Sequence, residues 1–491
     1  RQFSFVKFES KLPASAYGIR KYLASGLIHG IGKTYANKIV DHFGADTLRV
    51  ISEESARLRE VEGIGQKRVK SIKEAWEEQK AIREVMMFLQ TYGVTDALCL
   101  RLVRKYGNDA KTILQTEPYQ IVRDVKGIGF KTADRIALNL GVSTNGPERI
   151  DAGILHAMDE LEGEGHTCAG REELTDAAVA VLELHPSEVT VRLDALSGSA
   201  DLVECEPDVF QQPATARAEQ VAVQSLGKLL AAPSCLPSIL VDKAVEWAQE
   251  KAGFGFADEQ AEGLRSALSS KVSILTGGPG TGKTTILRAL VSILKAKKVR
   301  LQLTAPTGRA SRRMAETTGH FAQTVHRLLK FDPSAGGFTL DEQTPLSCDF
   351  VVMDEASMLD TRLGSAVFAA LAQGTHLLLV GDIDQLPSVG PGNLLKDLIQ
   401  CGQAAVTRLQ TIFRQASGSS IVTSAHDILA GRINLPAVGI GAKGQDFHFL
   451  PAADAQDCVK QVVSLCREIL PSRGYNALQQ AQVLAPMHRG V

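Results

Sequence analysis

The sequence predicts an α/β protein in which a parallel sheet forms the core and an all-helical region precedes it. Three observations support this fold class. Apolar segments suited to buried strands end in loops rich in glycine and polar residues, segments with helical spacing of apolar residues alternate with them, and residues 1–150 repeat a short glycine pattern between helices. A chain of 491 residues is long enough for three or four domains of about 100 to 200 residues each.

The composition is that of an ordinary soluble protein, with 44% hydrophobic and 22% charged residues. No apolar run reaches the roughly 18 to 20 residues that a membrane helix needs, so we expect no membrane contact. The eight cysteines never approach a CxxC spacing, which argues against a zinc site or a disulfide framework and favours a cytoplasmic location. Because the chain begins at Arg1 without a methionine, we expect that the natural N-terminus has been removed.

Charge is unevenly distributed along the chain. Residues 1–150 contain 25 Lys and Arg against 17 Asp and Glu, whereas the remaining residues contain 29 against 38. The front of the chain is therefore the part that attracts an anionic partner such as a phosphate backbone.

Short glycine motifs followed by helices recur in this basic region. The segments 27–44, 61–76 and 125–141 carry Gly-Ile-Gly followed within two residues by lysine, and a weaker copy lies at 92–95. Glycines let backbone N–H groups approach a ligand, and the positive end of the following helix points the same way, so we expect an anion there. The pattern resembles the helix-hairpin-helix motif, which holds DNA phosphates without reading sequence; alternatively, each motif only connects two helices. The candidate DNA-binding residues are Gly30, Gly32, Lys33, Gly63, Gly65, Lys67, Gly127, Gly129 and Lys131.

Residues 272–290, VSILTGGPGTGKTTILRAL, combine a strand, a GxxxxGKT loop and a helix in the order that defines a phosphate-binding P-loop. Backbone N–H groups of the loop hold phosphates, the ammonium group of Lys283 reaches the β- and γ-phosphates, and Thr284 binds Mg²⁺. The predicted ligands are therefore ATP and Mg²⁺. The candidate ATP-binding residues of the loop are Gly278, Pro279, Gly280, Thr281, Gly282, Lys283, Thr284 and Thr285.

A second apolar strand, within CDFVVMDEASMLD at 348–360, ends in two carboxylates. Downstream of a P-loop, this pair predicts that Asp354 holds Mg²⁺ through its water shell and that Glu355 polarises the water that attacks the γ-phosphate. By itself, an acidic pair at a strand end would be only a solvated surface feature.

A third strand, THLLLV at 375–380, leads into the loop GDIDQLPSVGPGN at 381–393. Beside the other two strands in a parallel sheet, it would place its C-terminal loop next to the nucleotide. A neutral amide can donate to a phosphate oxygen and accept from the attacking water, so Gln385 is a candidate for distinguishing ATP from ADP. The alternative is a plain turn.

Seven motifs together resemble the RecD-like DNA helicases of superfamily 1, in particular the stand-alone type with N-terminal helix-hairpin-helix repeats. They are TGGPGTGKTT, LTAPTGRAS (303–311), AQTVHRLL (322–329), VVMDEASM, GDIDQLPSVGPGN, TIFRQ (411–415) and QVLAPMHRG (482–490). The resemblance implies RecA-like P-loop motor domains preceded by an all-α tandem helix-hairpin-helix domain. It also implies a β-barrel insertion and later motifs beyond these seven, so we expect the second motor domain to be partial within the 491 residues.

The resemblance assigns further residues to the nucleotide and to DNA. Gln260 matches the family's adenine-reading glutamine, with a helix-surface residue as the alternative. Arg414 matches the arginine that the second motor domain presents to the γ-phosphate, where such residues contribute on the order of 10³ to 10⁵ in rate. With Arg414, the candidate catalytic set is Lys283, Glu355, Gln385 and Arg414. The residues implied to contact single-stranded DNA are Thr307, Arg309, Gln323, Thr324 and His326, of which His326 could equally be structural.

A β-hairpin is predicted near 330–347, because Gly336-Gly337 is flanked by short polar strands, with Phe338 as the apolar tip. Family members place a strand-separating pin at this point of the chain. The alternative is a surface loop.

The predicted domains are a tandem helix-hairpin-helix region at 1–150, a small helical linker domain at 151–235, a first RecA-like ATPase domain at 236–400 and a partial second one at 401–491. The resemblance implies an ATP-dependent helicase that moves 5′ to 3′ on single-stranded DNA, acts at junctions of single strand and duplex, and works as a monomer. Two alternatives stay open. One is a DNA-stimulated ATPase that remodels protein–DNA complexes without unwinding, and the other is a DNA-binding scaffold with a vestigial nucleotide site.

Overall fold

A computed structural model of the chain describes residues 19–20, 23, 31–92, 94–125, 127–411, 419–433 and 446–485. The chain divides into two compact units. The first comprises Arg1–Glu160 and Cys168–Gln211, and the second comprises Leu161–Thr167 and Gln212–Val491. Within the described residues, no helix is both long enough and apolar enough to cross a membrane.

The first unit is mainly helical, as its glycine motifs predict. Its helices are connected by short loops and 3₁₀ turns, and the last residues of the eighth helix already belong to the second unit. They are α1 (Lys33–Phe43), α2 (Thr47–Glu53), α3 (Gln66–Thr91), α4 (Asp96–Tyr106), α5 (Ala110–Thr116), α6 (Gln120–Asp124), α7 (Phe130–Asn139), α8 (Pro147–Gly163), α9 (Arg171–Leu182) and α10 (Pro186–Gly198).

The helical region contains the same backbone arrangement twice. In each copy a helix ends at a glycine of nearly identical conformation, Gly44 (φ 56°, ψ −128°) after α1 and Gly107 (φ 58°, ψ −128°) after α4. A 3₁₀ turn and a short helix follow, and each copy closes with a Gly-Ile-Gly hairpin in which Gly63 and Gly127 have φ values of 87° and 86°. The two copies therefore use glycine at corresponding positions for the same left-handed turns.

The weak motif at 92–95 opens the second copy. Thr95 precedes α4 as Gly32 precedes α1, and Asp96 stands where the first copy has Lys33. A carboxylate in place of an ammonium group repels a phosphate, so this hairpin lacks the chemistry expected of a DNA contact.

The isoleucine of each Gly-Ile-Gly motif anchors its hairpin in the core. Ile31, Ile64 and Ile128 are each only 3–4% exposed. Burial of such a side chain contributes about 1.5 to 3 kcal/mol. The apolar side chain therefore points inward and fixes the position of the hairpin backbone at the surface.

Helices α7 and α8 are joined by a buried ion pair. Arg149 donates from Nε to Asp134 Oδ1 at 2.8 Å and from Nη2 to Oδ2 at 3.0 Å, while the Tyr119 hydroxyl donates to Oδ1 at 2.7 Å. The Nη1 atom of the same arginine donates to the carbonyl oxygens of Thr144 at 2.8 Å and Leu182 at 3.2 Å. Both charges are thus hydrogen-bonded on several sides, which is the condition under which a buried pair is tolerated.

A small antiparallel sheet lies in the stretch predicted to be a helical linker. Its strands are β1 (Ala169–Gly170), β2 (Val203–Glu206) and β3 (Val209–Gln211), in the order β1-β3-β2. Strands of two to four residues are too short to show a two-residue alternation, so the sequence pattern could not reveal them.

The second unit is built on a six-stranded parallel sheet, which confirms the predicted fold class. Strand order across the sheet is β11-β4-β10-β9-β5-β6, and every pairing is parallel. The C-terminal ends of the strands therefore share one edge of the sheet. The strands are β4 (Val272–Gly277), β5 (Leu301–Ala305), β6 (Ala322–Thr324), β9 (Phe350–Met353), β10 (His376–Gly381) and β11 (Ala405–Leu409); a separate hairpin consists of β7 (Phe331–Asp332) and β8 (Gly337–Phe338).

Helices cover both faces of this sheet. Along β9, Phe350 and Val352 pack into one apolar cluster and Val351 and Met353 into the other, as expected for a strand buried on both sides. Because β11 pairs with β4, the six-stranded parallel sheet extends to Leu409, beyond the boundary predicted at residue 400 for the first motor domain. The helices of the second unit after α8 are α11 (Pro213–Ala231), α12 (Val241–Ala252), α13 (Asp258–Ser269), α14 (Lys283–Ala296), α15 (Gly308–Thr318), α16 (Val325–Leu328), α17 (Thr361–Ala369), α18 (Leu394–Gln400), α19 (Ser420–Leu429), α20 (Ala455–Ser464), α21 (Leu470–Ser472) and α22 (Ala477–Gln480).

Candidate functional site

The loop between β4 and α14 has the backbone of a phosphate-binding loop. Gly280 and Gly282 have φ values of 81° and 87°, a left-handed conformation that favours glycine. Thr281 Oγ1 donates to the carbonyl oxygen of Gly278 at 2.8 Å, and Lys283 Nζ donates to the same oxygen at 3.0 Å. The lysine ammonium group therefore lies within the loop, as the motif predicts.

This loop opens onto a cavity of about 510 Å³ whose wall also includes the ends of two neighbouring strands and one helix. Asp354 and Glu355 follow β9 and Gln385 lies in the loop after β10, so the parallel sheet brings the three predicted side chains to the P-loop. The lining residues are Gly278, Pro279, Gly280, Thr281, Gly282, Lys283, Thr284, Thr285, Leu287, Arg313, Met314, Thr317, Thr318, Asp354, Glu355 and Gln385.

The acidic pair after β9 is held in a fixed conformation. The N–H of Asp354 donates to the carbonyl oxygen of Thr304 at 2.9 Å, and Asp354 Oδ1 accepts from the N–H of Glu355 at 3.0 Å. Glu355 has a left-handed backbone (φ 54°, ψ 41°), which costs a residue other than glycine on the order of 1 to 3 kcal/mol. Burial raises the pKa of Asp354, and the neighbouring Glu355 carboxylate raises it further.

Asp354 and Thr284 fit the predicted magnesium ion. Both line the cavity, and each offers the oxygen ligand that Mg²⁺ prefers. Nucleotide-bound Mg²⁺ typically takes only one or two protein ligands together with phosphate oxygens and water. A divalent cation would also offset the repulsion between the two carboxylates that raises the pKa of Asp354.

Replacing Asp354 with asparagine is expected to raise the melting temperature of the nucleotide-free protein at neutral pH. The pKa of Asp354 is raised by folding, so its ionisation destabilises the folded state. This cost is present in full above the folded-state pKa and vanishes below the unfolded-state pKa of about 3.9. Thermal melts of both proteins across the pH range should therefore show a gain at pH 7 that shrinks towards pH 4. A melting temperature at pH 7 equal to or below that of the unmodified protein would contradict this assignment.

Gln385 is oriented by an aspartate that the sequence reading did not single out. Gln385 Nε2 donates to Asp382 Oδ2 at 3.1 Å, and Asp382 is only 3% exposed. The N–H of Asp384 donates to the other carboxylate oxygen at 3.1 Å. One N–H of the glutamine is thus committed to Asp382, which leaves its second N–H and its carbonyl oxygen for a nucleotide or a water molecule.

Gln260 lies behind the P-loop, outside the set of residues that line the cavity. Its side chain is 3% exposed; Nε2 donates to the carbonyl oxygen of Thr281 at 3.4 Å and Oε1 accepts from the N–H of Ala257 at 3.2 Å. The alternative of a helix-surface glutamine is therefore wrong, while adenine recognition stays a prediction. Arg414 lies outside the described residues.

Part of the cavity lining comes from residues on a single face of α15, which were not among the predicted site residues. Their three- and four-residue spacing is the signal that could have revealed them. These residues are Arg313, Met314, Thr317 and Thr318.

A histidine from beyond the sheet also reaches the loop. The ring of His426, on α19, lies 3.3 Å from the point where a Cβ atom on Gly278 would stand. Its Nε2 atom is buried and has no hydrogen-bond partner among the described residues. Nothing in the local sequence distinguishes this histidine from an ordinary helix residue.

The two motifs predicted to contact single-stranded DNA lie side by side because β5 and β6 are neighbours. Thr304 pairs with Gln323, and Ala305 pairs with Thr324. Thr307 and Arg309 follow β5 at the start of α15, where Arg309 is exposed. The sheet thus brings both motifs to the same edge, beside the strand that carries the acidic pair.

The two threonines of these motifs also cap helices. Thr307 Oγ1 accepts from the N–H of Ala310 at 3.2 Å at the start of α15, and Thr324 Oγ1 accepts from the N–H of Arg327 at 3.4 Å at the start of α16. Each hydroxyl keeps its proton, which can be donated to a phosphate oxygen. A structural and a binding role are therefore compatible at both positions.

The hairpin predicted near 330–347 is present, but the prediction that Phe338 forms its tip was wrong. Phe338 pairs with Phe331 at the base of the hairpin, and both rings contact His326 with centroid distances of 5.6 Å. The tip is polar, with Asp332 Oδ1 accepting from the N–H of Ser334 at 2.8 Å. The apolar ring packs inward because it can join the other two rings there, and His326 supports the base of the hairpin.

In the N-terminal hairpins, the second glycine of each motif is not required by the chain itself. Gly32 and Gly129 have φ values of −86° and −89°, which any residue adopts. A Cβ atom on either of them, or on Gly65, would meet no other atom within 4 Å. Since neither conformation nor packing demands glycine, the open backbone suits close approach by an external group. Gly30 lies outside the described residues.

The three predicted lysines of these hairpins differ in their surroundings. Lys131 Nζ forms an ion pair with Glu160 at 3.3 Å. Lys33 and Lys67 are exposed and form no ion pair with a described residue. The first copy of the repeat therefore presents free ammonium groups, whereas the second copy presents a paired one.

Fold and site together define a P-loop site of the kind that binds nucleoside triphosphates, with a phosphate-binding loop, an acidic pair and a glutamine at three neighbouring strand ends. Family comparisons are more specific. Residues 260–391 match the AAA domain family, residues 78–168 match the ATP-dependent RecD2 DNA helicase HHH domain, and residues 22–78 match the SAM-like helix-hairpin-helix tandem.

Individual relatives agree with these matches. The ATP-dependent RecD2 DNA helicase of Deinococcus radiodurans is 31% identical over 97% of this chain and 65% of its own length. The RecBCD enzyme subunit RecD of Mycobacterium tuberculosis is 37% identical over 35% of this chain and 34% of its own length. The chain is thus similar to RecD2-type helicases along almost all of its length, which confirms the predicted resemblance, and it spans less than two thirds of the length of these relatives.

Among solved structures, the Pif1 helicase from Candida albicans shares 22% identity over 36% of this chain and 45% of that chain, with a TM-score of 0.28. A TM-score this low does not indicate a shared overall structure.

Proposed function

We propose that this chain contains the motor of an ATP-dependent DNA helicase that moves 5′ to 3′ on single-stranded DNA and separates duplex ahead of it. The observation that carries the proposal is the position of the two sites on one sheet edge. The nucleotide cavity follows β4, β9 and β10, and the segment predicted to hold DNA follows β5 and β6, directly beside β9. The direction of movement is implied by the resemblance to RecD-like helicases.

Each residue of the cavity has a role that follows from its chemistry. Lys283 and the loop N–H groups hold the phosphates, and Glu355 accepts a proton from the attacking water or orients it. Gln385, positioned by Asp382, contacts the γ-phosphate or that water. It would therefore respond to loss of the γ-phosphate. Mg²⁺, held by Thr284 and Asp354, would neutralise charge on the phosphate oxygens.

The proposed partners are single-stranded DNA and junctions between single strand and duplex. Exposed lysines of the first hairpin copy and the hydroxyl groups of Thr307 and Thr324 would bind phosphates, so affinity should depend strongly on salt. We propose that the protein acts as a monomer in the cytoplasm, with the hairpin at 331–338 at the point of strand separation.

A strand-displacement assay with the intact protein tests this function. Three duplexes are compared, with a 5′ single-stranded tail, with a 3′ tail and with blunt ends, each in the presence of ATP and Mg²⁺. We expect displacement of the 5′-tailed duplex only. ATP turnover that DNA stimulates without any displacement would instead favour a remodelling ATPase, and displacement from the 3′ tail would reverse the proposed direction.

The first copy of the N-terminal repeat is expected to contribute more DNA affinity than the second. Replacing Lys33 and Lys67 together with alanine should weaken binding of duplex DNA and reduce the slope of log affinity against log salt, by about 1 for each phosphate that the protein no longer binds. The matched comparison is between Lys67→Ala and Lys131→Ala, which change the same position of the motif; Lys131→Ala should have the smaller effect, because Glu160 already neutralises this lysine. Fluorescence anisotropy over a salt series measures the DNA affinity and its salt slope for each protein. Equal effects of the two replacements would show that the ion pair does not decide DNA binding.

A further inference from the structure

We propose that Arg313 binds the terminal phosphates of ATP, and that α15 thereby connects the nucleotide cavity to the DNA-binding segment at its own N-terminus. The proposal rests on the proposed function, because it takes ATP to occupy the cavity and DNA to lie at the start of α15. It adds a phosphate ligand on the first motor domain and a physical route from phosphate to DNA.

Arg313 faces the cavity with an uncommitted charge. It lines the cavity together with Asp354, Glu355 and Gln385, yet its guanidinium group forms no hydrogen bond or ion pair with any residue that the structure describes. Burial raises the pKa of Asp354 and lowers that of Lys283, and the positive charge of Arg313 acts to lower both. The guanidinium is therefore within electrostatic range of both side chains while remaining free to meet an anion.

The chemistry of the cavity suits a second cationic side chain beside Lys283. Lys283 provides one positive charge inside the loop, whereas Asp354 and Glu355 contribute two carboxylates to the lining of the same cavity. A triphosphate adds more negative charge to this site. A guanidinium is always protonated and presents a planar fork of N–H donors that can bind two phosphate oxygens at once. Among the described residues that line the cavity, Arg313 is the one with these properties.

The same helix carries the segment predicted to hold DNA. Thr307 caps α15, Arg309 lies in its first turn, and Arg313 follows four residues later on the same face. Four residues rise about 6 Å along a helix axis, so one short rigid element spans the two sites. A force on Arg313 from the γ-phosphate would therefore move the N-terminal end of α15, and loss of that phosphate would release it.

The adjacent arginine provides a matched control. Arg312 is exposed on the same helix, carries the same charge and does not line the cavity. The experiment compares Arg313→Gln, Arg313→Lys and Arg312→Gln with the unmodified intact protein. Thermal melts first establish that all four are folded. Two quantities are then measured: the KM for ATP in phosphate release, and the affinity for a labelled single strand with and without a non-hydrolysable ATP analogue.

Arg313→Gln is expected to raise the KM for ATP by about 10- to 100-fold, the effect of losing a hydrogen bond to a charged group. It should also abolish the change in DNA affinity that the analogue causes in the unmodified protein. Arg313→Lys should recover part of both properties, and Arg312→Gln should leave both unchanged. An Arg313→Gln protein with unmodified KM and coupling would overturn the inference, as would an equal defect in Arg312→Gln. A raised KM with intact coupling would overturn the role assigned to α15.

This outcome can be separated from failure of the proposed function. If Lys283→Ala still hydrolyses ATP at the unmodified rate, the cavity is not the catalytic site and the proposed function itself fails. If Lys283→Ala is inactive and Arg313→Gln behaves like the unmodified protein, only the role of Arg313 is refuted.

Discussion

Replacement of Lys283 with alanine is expected to lower ATP hydrolysis by the intact protein by at least about 10²-fold while leaving its affinity for single-stranded DNA largely unchanged. Lys283 lies within the P-loop and contacts the carbonyl oxygens of Gly277 and Gly278, so its removal takes a positive charge from the place where phosphates bind. The segment after β5 and β6 that is proposed to bind DNA does not include this side chain. Steady-state phosphate release and fluorescence anisotropy with a labelled strand measure the two properties.

Lys295→Ala is the control for this replacement. Lys295 lies on the same helix, α14, but is exposed near its C-terminal end and is not part of the cavity. It should keep normal turnover. Normal turnover by the Lys283→Ala protein would show that the loop does not hold the hydrolysed nucleotide.

Replacement of Arg149 with alanine is expected to lower the free energy of unfolding of the first unit by about 3 to 5 kcal/mol, because it leaves a buried carboxylate without its partner. Arg149 is 6% exposed and Asp134 is 9% exposed. The arginine also donates to the carbonyl oxygens of Thr144 and Leu182, each of which would be deprived of a hydrogen bond at the same time. Urea unfolding followed by circular dichroism measures the change.

Arg57→Ala is the matched control for the buried pair. Arg57 also contacts carboxylates, at Glu54 and Glu60, but all of these groups are exposed to solvent. Its replacement should change stability little, because water and salt screen exposed ion pairs. If the two alanine proteins unfold at the same urea concentration, burial does not set the importance of the Asp134–Arg149 pair.

The sequence predicts most of the nucleotide site because its parts are local. A strand, a glycine loop and a helix in direct succession define the position of Lys283, and the strands before Asp354 and Gln385 carry a clear apolar signal. Parallel pairing of these strands then brings the three loops to one edge, which the structure bears out.

Residues whose position depends on tertiary packing could not be found in this way. Gln260 is buried because α13 packs behind the P-loop, and Arg313 reaches the cavity because α15 lies next to α14. Phe338 was expected at a hairpin tip, but two other aromatic rings at the base provide a more favourable place for it. In each case the local sequence pattern is compatible with a surface position, and the neighbouring helix or ring determines where the side chain lies.

The motif alone does not reveal that the two N-terminal copies differ in the surroundings of their lysines. All three Gly-Ile-Gly segments are followed by lysine, but only the fold shows that Lys131 meets Glu160 from the next helix. The weak motif before α4 is recognised as the start of a second copy from the backbone that follows it, since the glycine after α4 repeats the conformation of the glycine after α1.

The rate of ATP hydrolysis with and without single-stranded DNA shows directly whether the state of the phosphates in the P-loop cavity is coupled to DNA binding. The measurement uses the intact protein with saturating ATP and Mg²⁺, and a strand without secondary structure is added in increasing amounts. We expect turnover to rise with added strand to a plateau. A folded protein that hydrolyses ATP at one constant rate, whatever amount of strand is present, would contradict it.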